Sequence, residues 1–223
     1  RSPDRVDNLA MGTLFEELIR RFSEISNETA GEHYTPREVV ELIVQLLIAP
    51  DVERLRVPGR IATVYDPACG TGGMLALADK AMRRAAPGVR VDLYGQELNG
   101  ESFGICKADM LMLGYEPENI AQGNTLVDDR HAGRDVGFHY LISNPPYGVD
   151  WKKYGDPIRA EHDTAGEGNR FHAGLPRTSD GQFLFLQHMV ARMHDGEDGA
   201  RIGVVMNGSP LFTGGAGSGE SEI

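Results

Sequence analysis

The first part of the chain has apolar residues at the spacing of amphipathic helices. Residues 8–25 predict one helix, and residues 35–47 predict a second, which Pro50 ends. The Thr-Pro-Arg-Glu sequence at 35–38 has the form of a capping box with proline at the first helical position. The second helix is expected to bury one wide face. The apolar positions of that face are Val39, Val40, Leu42, Ile43, Leu46 and Leu47.

After residue 59 the pattern changes to short β-branched runs that alternate with helical segments. This alternation is typical of βαβ units and predicts an α/β fold with a mostly parallel sheet. We therefore expect a helical segment at residues 1–58 and a core domain at residues 59–223. The predicted strands are 61–65, 89–94, 119–121, 138–143 and 201–206, and the predicted helices are 74–86, 101–113 and 182–193.

A polar stretch rich in Gly and Pro spans residues 148–180. It is too long for an ordinary connection between two elements, and its positive and negative charges nearly balance. We therefore expect either a functional loop or a disordered segment directly after the fourth predicted strand.

Composition and charge narrow the classes of protein. The formal net charge of -11 argues against this chain alone holding a polyanion, because duplex affinity comes largely from Lys and Arg. No apolar run approaches the roughly 18 residues of a membrane span, and no signal peptide is visible, so a cytoplasmic protein is expected. Cys69 and Cys106 lack the spacing of a metal or redox motif, so neither a metal nor a disulfide is expected. The start at Arg1 and the Gly/Ser-rich end indicate a segment of a larger protein.

A glycine-rich turn follows the first predicted strand. It consists of Asp66, Pro67, Ala68, Cys69, Gly70, Thr71, Gly72 and Gly73. Open α/β folds bind ligands at this edge of the sheet, where glycines let the backbone approach the ligand. The phosphate-binding spacing Gly-x-Gly-x-x-Gly and a Lys-Ser/Thr pair are absent, so a ligand without phosphate fits better. Asp66 is expected to bind a ligand ammonium or to organise the amides of the turn.

Two further polar residues follow the second and third predicted strands. Glu97 is expected at the strand end beside the glycine-rich turn, where it could accept both hydroxyls of a ribose. Asn124 could reach the edge of an adenine. On position alone, the alternatives are a solvated surface glutamate and an ordinary βα turn at residues 66–73. The pairing of Glu97 with the turn favours a functional site.

The most specific motif is Asn144, Pro145, Pro146 and Tyr147, directly after the fourth predicted strand. The prolines stiffen the turn and remove two backbone donors, which leaves the local carbonyls and the Asn144 side-chain oxygen as fixed acceptors. Such a site suits a planar exocyclic amine, because two acceptors on its hydrogens direct the nitrogen lone pair towards an electrophilic methyl group. Tyr147 offers a ring on which a base can stack. A proline-rich turn with a packing tyrosine is the alternative.

These motifs together resemble the amino-methyltransferases that act on DNA. Their order resembles the modification subunit of type I restriction-modification systems, an N6-adenine DNA methyltransferase family, over about residues 10 to 223. The resemblance implies a Rossmann-like fold of S-adenosylmethionine-dependent methyltransferases, with helices on both faces of the sheet and a helical segment ahead of it. It also implies S-adenosylmethionine as the cofactor and the N6 amino group of adenine in DNA as the acceptor.

The resemblance further implies roles for individual residues. The segment that closes over the cofactor consists of Glu32, His33, Tyr34, Thr35, Pro36 and Arg37. Residues 66–73 surround the methionine part, Glu97 holds the ribose, and Phe183 touches the cofactor. Asn144 and Pro145 hold the target amino group, and Tyr147 stacks on the base. For residues 35–38, a helix cap alone remains the alternative.

The implied partners are DNA with a flipped adenine, a specificity subunit that reads the sequence, and an endonuclease subunit. The specificity subunit can supply the phosphate and base-edge contacts, so the acidic charge is no contradiction. The family also has an N-terminal helical domain and further strands after the position of residue 223. A segment without these parts is expected to bind the cofactor poorly.

Other functions remain open. Cytosine N4 in DNA and a glutamine side chain in a protein are planar amines or amides that the same motif would serve, although the helix at 35–47 favours the DNA enzyme. A non-catalytic scaffold that docks a specificity subunit is a third possibility, and the intact Asp66, Glu97, Asn144 and Tyr147 argue against it. A nicotinamide dehydrogenase is disfavoured because the phosphate-binding glycine spacing is absent.

Overall fold

Residues 35–134, 137–164, 169–208, 220 and 223 are described by a computed structural model. Backbone contacts group them into one unit, Thr35–Ile223. The helix predicted at residues 8–25 lies outside the described residues, as do Glu32, His33 and Tyr34. None of the helices in the described part of the chain has the length and apolarity needed to cross a membrane.

A parallel sheet forms the centre of this unit. Its strands are β1 (Ile61–Asp66), β2 (Arg90–Glu97), β3 (Ile120–Gln122), β4 (Tyr140–Ser143) and β5 (Arg201–Val204). They lie in the order β3-β2-β1-β4-β5, and every pair is parallel, which confirms the predicted sheet. The order reverses between β1 and β4, and ligands of open α/β folds bind at such a reversal, beyond the carboxyl ends of the strands.

Helices cover both faces of the sheet. They are α1 (Arg37–Ile48), α2 (Val52–Leu55), α3 (Gly73–Ala85), α4 (Gly100–Met112), α5 (Gly155–Asp163) and α6 (Gln182–Ala191). Because successive side chains of a strand point to opposite faces, Val64 and Tyr65 of β1 belong to different clusters of the core. Val64 packs in the cluster that holds buried residues of α1 and α3, whereas Tyr65 packs with Met189 of α6.

The strand β2 shows why one predicted boundary was wrong. Four strands begin and end within two residues of their predicted positions, but β2 continues from the predicted end at Tyr94 to Glu97. Polar residues after Tyr94 indicated a loop. In the structure Gln96 is fully buried, its Nε2 donates to the Asp128 carbonyl at 2.6 Å, and its Oε1 accepts from the Arg130 amide at 3.1 Å. A buried amide with partners at both ends is tolerated inside a strand.

The helix α1 differs from its prediction in two ways. The predicted capping box is wrong: Pro36 is the N-cap residue, no side chain caps the helix, and the Thr35 hydroxyl bonds elsewhere. The predicted wide apolar face is also wrong, because Leu42 and Leu46 are 56% and 66% exposed. A helix that lies on a sheet buries one narrow stripe. The stripe consists of Val40, Val44, Leu47 and Ile48.

The described part of the polar stretch at residues 148–180 contains regular structure, so the disordered segment, one of the two predicted alternatives, is wrong there. It includes a 3₁₀ turn at Lys152–Tyr154 and the helix α5. Ile158 of α5 packs with Trp151 and Phe171 in a buried cluster. These apolar residues are few and far apart in the sequence, so their spacing gave no helical signal.

A buried arginine joins this stretch to the loop that follows β3. Arg170 is 5% exposed and donates to both carboxylate oxygens of Glu161, at 2.7 and 2.6 Å. Its guanidinium also donates to the carbonyls of Thr125 and Leu126, at 2.7 and 3.1 Å. One side chain thus joins α5 to the loop that follows β3.

Candidate functional site

The carboxyl ends of β1 and β4 are joined by a hydrogen bond between side chains. Asp66 ends β1 and is 1% exposed. Its Oδ1 accepts from the Ala68 amide at 2.9 Å and from the Ser143 hydroxyl, at the end of β4, at 2.8 Å. The glycine-rich turn therefore lies beside Asn144 and the residues that follow it, as the parallel sheet predicted.

The charge of Asp66 is sensitive to its surroundings. Burial, together with a smaller effect of the nearby negative charge of Glu97, raises the pKa of Asp66 to about 7. The hydrogen bonds from Ala68 and Ser143 act in the opposite direction because they favour the carboxylate. A positive charge placed at this edge of the sheet would therefore favour the ionised form of Asp66 near neutral pH.

The glycine-rich turn has a packed inner side and an open outer side. Gly72 has a φ of 88°, and a Cβ built on it would lie 2.8 Å from Cys106 Sγ on α4. Gly70 has a φ of 55°, and a Cβ built on Gly70 or on Gly73 would meet no heavy atom within 4 Å. The inner glycine thus allows close packing, whereas the backbone of the outer two is accessible to a ligand.

Glu97 is fixed at the end of β2. The residue is 8% exposed, and its Oε2 accepts from the Gly70 amide at 2.8 Å. Its Oε1 accepts from the Asn99 amide at 2.7 Å. Asn99 in turn caps α4 by accepting from the amides of Glu101 and Ser102. Each carboxylate oxygen has a second lone pair, so Glu97 can still accept hydrogen bonds from a ligand.

Asn144 is half-buried and held through both ends of its amide. Its Nδ2 donates to the Thr35 hydroxyl at 2.7 Å, and its Oδ1 accepts from the Tyr147 hydroxyl. Burial raises the pKa of Tyr147, so this hydroxyl keeps its proton. Pro145 is buried and Pro146 is exposed. The predicted amine-binding motif therefore lies next to Thr35 of the predicted cofactor-closing segment.

The other predicted residues lie near this edge or on the surface. Asn124 uses its Oδ1 locally, accepting from the Leu126 amide at 3.0 Å. Phe183 is half-buried in the first turn of α6. Pro36 and Arg37 are exposed, and Arg37 pairs with Glu41 at 3.4 Å rather than with residues of the site.

Inside the turn, Cys69 points into the core. Its Sγ lies 4.0 Å from Cys106 Sγ, and this contact, together with burial, raises the pKa of Cys69. Pro67 offers its carbonyl to the Thr125 hydroxyl at 2.6 Å. Ala68 packs against a cluster that contains Leu126. The turn therefore packs against α4 through Cys69 and against the loop after β3 through Pro67 and Ala68.

Three residues that the sequence analysis missed support the site. Ser143 bonds Asp66, Thr125 bonds Pro67, and Met74 accepts from the Thr35 hydroxyl at 3.8 Å. A serine that ends the otherwise apolar strand β4 was a usable signal for a polar contact at the sheet edge. Thr125 and Met74 gave no such signal, because a threonine in a loop and a methionine in a helix are ordinary.

Among the described residues, a group of potential metal ligands lies at the amino edge of the sheet, away from this site. Ligand atoms of His139, His194 and Asp198 lie within 4.8 Å of one another. Arg60 hydrogen-bonds Asp198 and lowers its pKa. His139 Nδ1 accepts from the Thr63 amide at 3.2 Å, so the neutral ring carries its proton on Nε2, and burial lowers the pKa of His139 to about 4. Asp198 forms ion pairs with Arg54 and Arg60, and both these arginines and the His139 proton compete with a cation at this group.

The chain is similar to methylase subunits of type I restriction enzymes. One from Methanocaldococcus jannaschii, MjaIX, is 26% identical over 217 residues, which are 95% of this chain and 34% of the relative. EcoKI from Escherichia coli K12 is 26% identical over 226 aligned residues, covering 93% of this chain and 37% of the relative. The chain therefore spans about a third of the length of these curated relatives.

A solved structure and a family model agree with this similarity. The methyltransferase subunit of a type I restriction-modification system from Streptococcus thermophilus matches with a TM-score of 0.68 and 27% identity, covering 85% of this chain and 37% of that one. The predicted Rossmann-like methyltransferase fold is thereby confirmed. The model of N-6 DNA methylase matches residues 6–221. The chain belongs to the N-6 DNA methylase family.

Proposed function

We propose that this chain is the catalytic part of a type I modification subunit and transfers a methyl group from S-adenosylmethionine to the N6 amino group of adenine in DNA. The observation that carries the proposal is the hydrogen bond between Ser143 and Asp66. It joins the loop suited to a cofactor to the loop suited to an aromatic amine. The names of the matched methylase subunits support a methyl transfer, and the N-6 DNA methylase family supports the N6 amino group as its acceptor.

The residues at the end of β1 and β2 fit S-adenosylmethionine. The open outer side of the turn at Gly70 and Gly73 leaves backbone accessible to the methionine part. Asp66 and Glu97 place two acidic groups beside it, which suits a cationic ligand with ribose hydroxyls. When bound, the cofactor supplies an electrophilic methyl group. The segment at 32–37, together with Asn124 and Phe183, completes the proposed cofactor site.

The Asn144 motif binds the amine to be methylated. Asn144 Oδ1 and the Pro145 carbonyl accept the two hydrogens of the amino group, which holds the nitrogen with its lone pair directed out of the ring plane. Oδ1 has two lone pairs, so it can accept from the amine while the Tyr147 hydroxyl remains bound. Stacking on the Tyr147 ring adds about 1 to 3 kcal/mol. No strong base is needed for the attack, because the amine is activated by position. The new N–C bond would replace the bond from the cofactor sulfur to its methyl group, and the proton that the methylated nitrogen then loses would pass along its hydrogen bond to water.

Binding to DNA depends on partner subunits. A chain with a net charge of -11 gains little from phosphates, so a specificity subunit supplies the backbone contacts and reads the sequence. The chain itself needs only to receive a flipped adenine. An endonuclease subunit completes the proposed restriction-modification complex.

A pair of substitutions tests these roles. With labelled S-adenosylmethionine and the specificity partner present, Asn144→Ala lowers kcat by about a hundredfold or more, because an acceptor for the reacting amine is lost, while cofactor affinity stays within a few-fold. Glu97→Ala shows the opposite pattern, weakening cofactor binding measured by calorimetry. Asn119→Ala and Glu118→Ala, at the far edge of the sheet, serve as matched controls and change neither quantity.

The acceptor is identified with duplexes that contain only adenine or only cytosine as methylatable bases. Label in the adenine duplex alone supports the proposal. Label in the cytosine duplex, or in protein alone, refutes it and indicates cytosine N4 or a glutamine amide. A collapse of cofactor binding in Asn144→Ala would refute the assignment of that residue to the amine.

A further inference from the structure

We infer that Gln182 is a positioning residue that sets the place of the loop after β4, and with it the proposed amine-binding group of Asn144. The inference rests on the proposed function and extends it to a residue outside the motif. Its basis is the side-chain amide of Gln182, a residue that is 1% exposed. Nε2 donates to the two carboxylate oxygens of Asp180 at 2.9 and 2.8 Å, and Oε1 accepts from the Asn207 amide at 3.0 Å.

The far end of this loop is held by the segment that precedes α6. The loop runs from Asn144 to Trp151, and Trp151 is 2% exposed. The Trp151 amide donates to the Thr178 carbonyl at 3.0 Å, and its indole Nε1 donates to the Arg177 carbonyl at 3.0 Å. The near end of the loop continues directly from β4. Because both ends are held, the position of Asn144 depends on where the segment before α6 lies.

Gln182 joins that segment to the carboxyl edge of the sheet. Gly181, which directly precedes Gln182, donates its amide to the Val149 carbonyl of the loop at 3.2 Å. Asn207, which donates to Gln182 Oε1, lies three residues beyond the end of β5, and β5 pairs with β4 in parallel. These contacts form a closed path that leaves the sheet at β4, passes through the loop and Gln182, and returns to the sheet at β5.

The two partners of the Gln182 amide have opposite and fixed polarity. The Asp180 carboxylate, which pairs with Arg177 at 3.6 Å, can only accept, and the Asn207 backbone amide can only donate. A half-turn of the Gln182 amide would set donor against donor and oxygen against carboxylate, so one orientation alone satisfies both contacts. Apolar packing tolerates small shifts of a segment, whereas a buried amide with two such partners specifies one arrangement.

Gln182→Glu tests the inference, since it keeps the shape of the side chain and removes the donor to Asp180. The full-length protein is assembled with its specificity partner, and kcat and cofactor affinity are measured at about pH 8, so that the two carboxylates do not share a proton. Their repulsion displaces the segment, and we expect kcat to fall by about ten- to a hundredfold through misplacement of the reacting amine. Cofactor affinity should stay within about threefold, because the glycine-rich turn keeps its own contacts.

Exchanging the two polar groups separates this role from a general loss of packing. Asp180→Asn combined with Gln182→Glu reverses the bond: the new asparagine amide donates, and the new glutamate carboxylate accepts from it and from Asn207. The net charge equals that of the unchanged protein. We expect the double variant to recover kcat to within about threefold of the unchanged protein. Asp180→Asn alone should lower kcat by less than Gln182→Glu, because its side-chain oxygen still accepts from Gln182.

A binding measurement reports on the amine-binding group directly. With S-adenosylhomocysteine present, duplexes with adenine or with unsubstituted purine at the target are compared, and the purine lacks the amino group that Asn144 is proposed to hold. The cost of opening the base pair is common to all variants and cancels in the comparison. We expect Gln182→Glu to lower the ratio of adenine affinity to purine affinity by about tenfold, the value of one to two lost hydrogen bonds. The double variant should restore this ratio.

Two further variants complete the test. Gln187→Glu is the matched control, because Gln187 is a buried glutamine of the same helix that donates to the Gly174 carbonyl at 2.9 Å. It should lower the melting temperature and leave kcat and the adenine preference unchanged. Trp151→Phe keeps a buried ring but removes the indole donor to Arg177, so it should lower kcat and the adenine preference together, by less than Gln182→Glu. It also carries the test should Gln182→Glu fail to assemble.

Each outcome supports or overturns the inference. An active unchanged protein whose kcat and adenine preference survive in Gln182→Glu and Trp151→Phe would overturn the inference alone. Weaker cofactor binding with an unchanged adenine preference would also overturn it, because Gln182 would then support the cofactor side of the site through the neighbouring Phe183. A double variant that assembles but does not recover kcat would overturn the role of the bond to Asp180. If the unchanged protein transfers no methyl group to adenine, the proposed function fails at the first measurement, and the inference falls with it.

Discussion

Replacing the buried acid Asp66 with asparagine should change how the stability of the protein depends on pH. Asp66→Asn keeps an oxygen that can accept from the Ala68 amide and the Ser143 hydroxyl, and it removes the charge. Burial raises the pKa of Asp66 from 3.8 to about 7. Ionising this carboxyl therefore costs on the order of 4 kcal/mol more in the folded protein than in the unfolded chain.

The sign of the effect follows from proton binding. Between about pH 4 and pH 7 the folded protein keeps a proton on Asp66 that the unfolded chain has released. The free energy of unfolding therefore decreases as pH rises through this range, and the contribution is fully lost above about pH 7. In Asp66→Asn this loss is absent, so the variant gains stability relative to the unchanged protein as pH rises.

Urea unfolding at pH 5, 6, 7 and 8 measures this difference, with the fluorescence of Trp151, the single tryptophan of the chain, as the signal. Other titrating groups are present in both proteins, and their contributions cancel. A fixed penalty for burying the new amide shifts all four values equally and leaves the trend unaffected. If the two proteins show parallel pH dependence, Asp66 does not hold a proton near neutrality and the reasoning is refuted.

Two other predictions concern the glycine-rich turn and the buried Arg170. Gly72→Ala places a Cβ 2.8 Å from Cys106 Sγ at a φ of 88°, so the free energy of unfolding should fall by about 1 to 3 kcal/mol in urea titrations. The Cβ of Gly73→Ala meets no atom within 4 Å, so this variant should change the free energy of unfolding by less than about 1 kcal/mol and weaken cofactor binding in calorimetry. Equal destabilisation by Gly72→Ala and Gly73→Ala would contradict a turn with a packed inner side and an open outer side. Arg170→Met should cost about 3 kcal/mol, because it removes the guanidinium donors of Glu161 and of two carbonyls, and Arg170→Lys should be less damaging. An unchanged urea midpoint would refute the anchoring role of Arg170.

The fold and the edge that carries the site could be predicted because both depend on local patterns. Short apolar runs that alternate with helices specify a parallel sheet, and all parallel strands end at the same edge. Motifs placed directly after strands must therefore meet there. The hydrogen bond between Ser143 and Asp66, 77 positions apart in the sequence, realises that expectation.

Contacts without a local signature could not be predicted. The bond between Thr35 and Asn144 spans 109 positions, and a threonine ahead of a proline and a helix has the pattern of a cap. Arg170 gave no signal either, because an arginine in a polar stretch is usually exposed. Its burial depends on carbonyls of the loop after β3, which only the folded chain brings within reach.

The pairing of β1 with β4 has a consequence for how such a site can change. The two loops leave from adjacent strands, whose spacing of about 4.8 Å is fixed by backbone hydrogen bonds. Side-chain substitutions alter what each loop grips, but they cannot widen the gap between the loops. The backbone hydrogen bonds therefore fix the distance between the proposed cofactor-binding turn and the proposed amine-binding loop. Exchanging the loop after β4 alone is the least disruptive way to present a different methyl acceptor to the same cofactor.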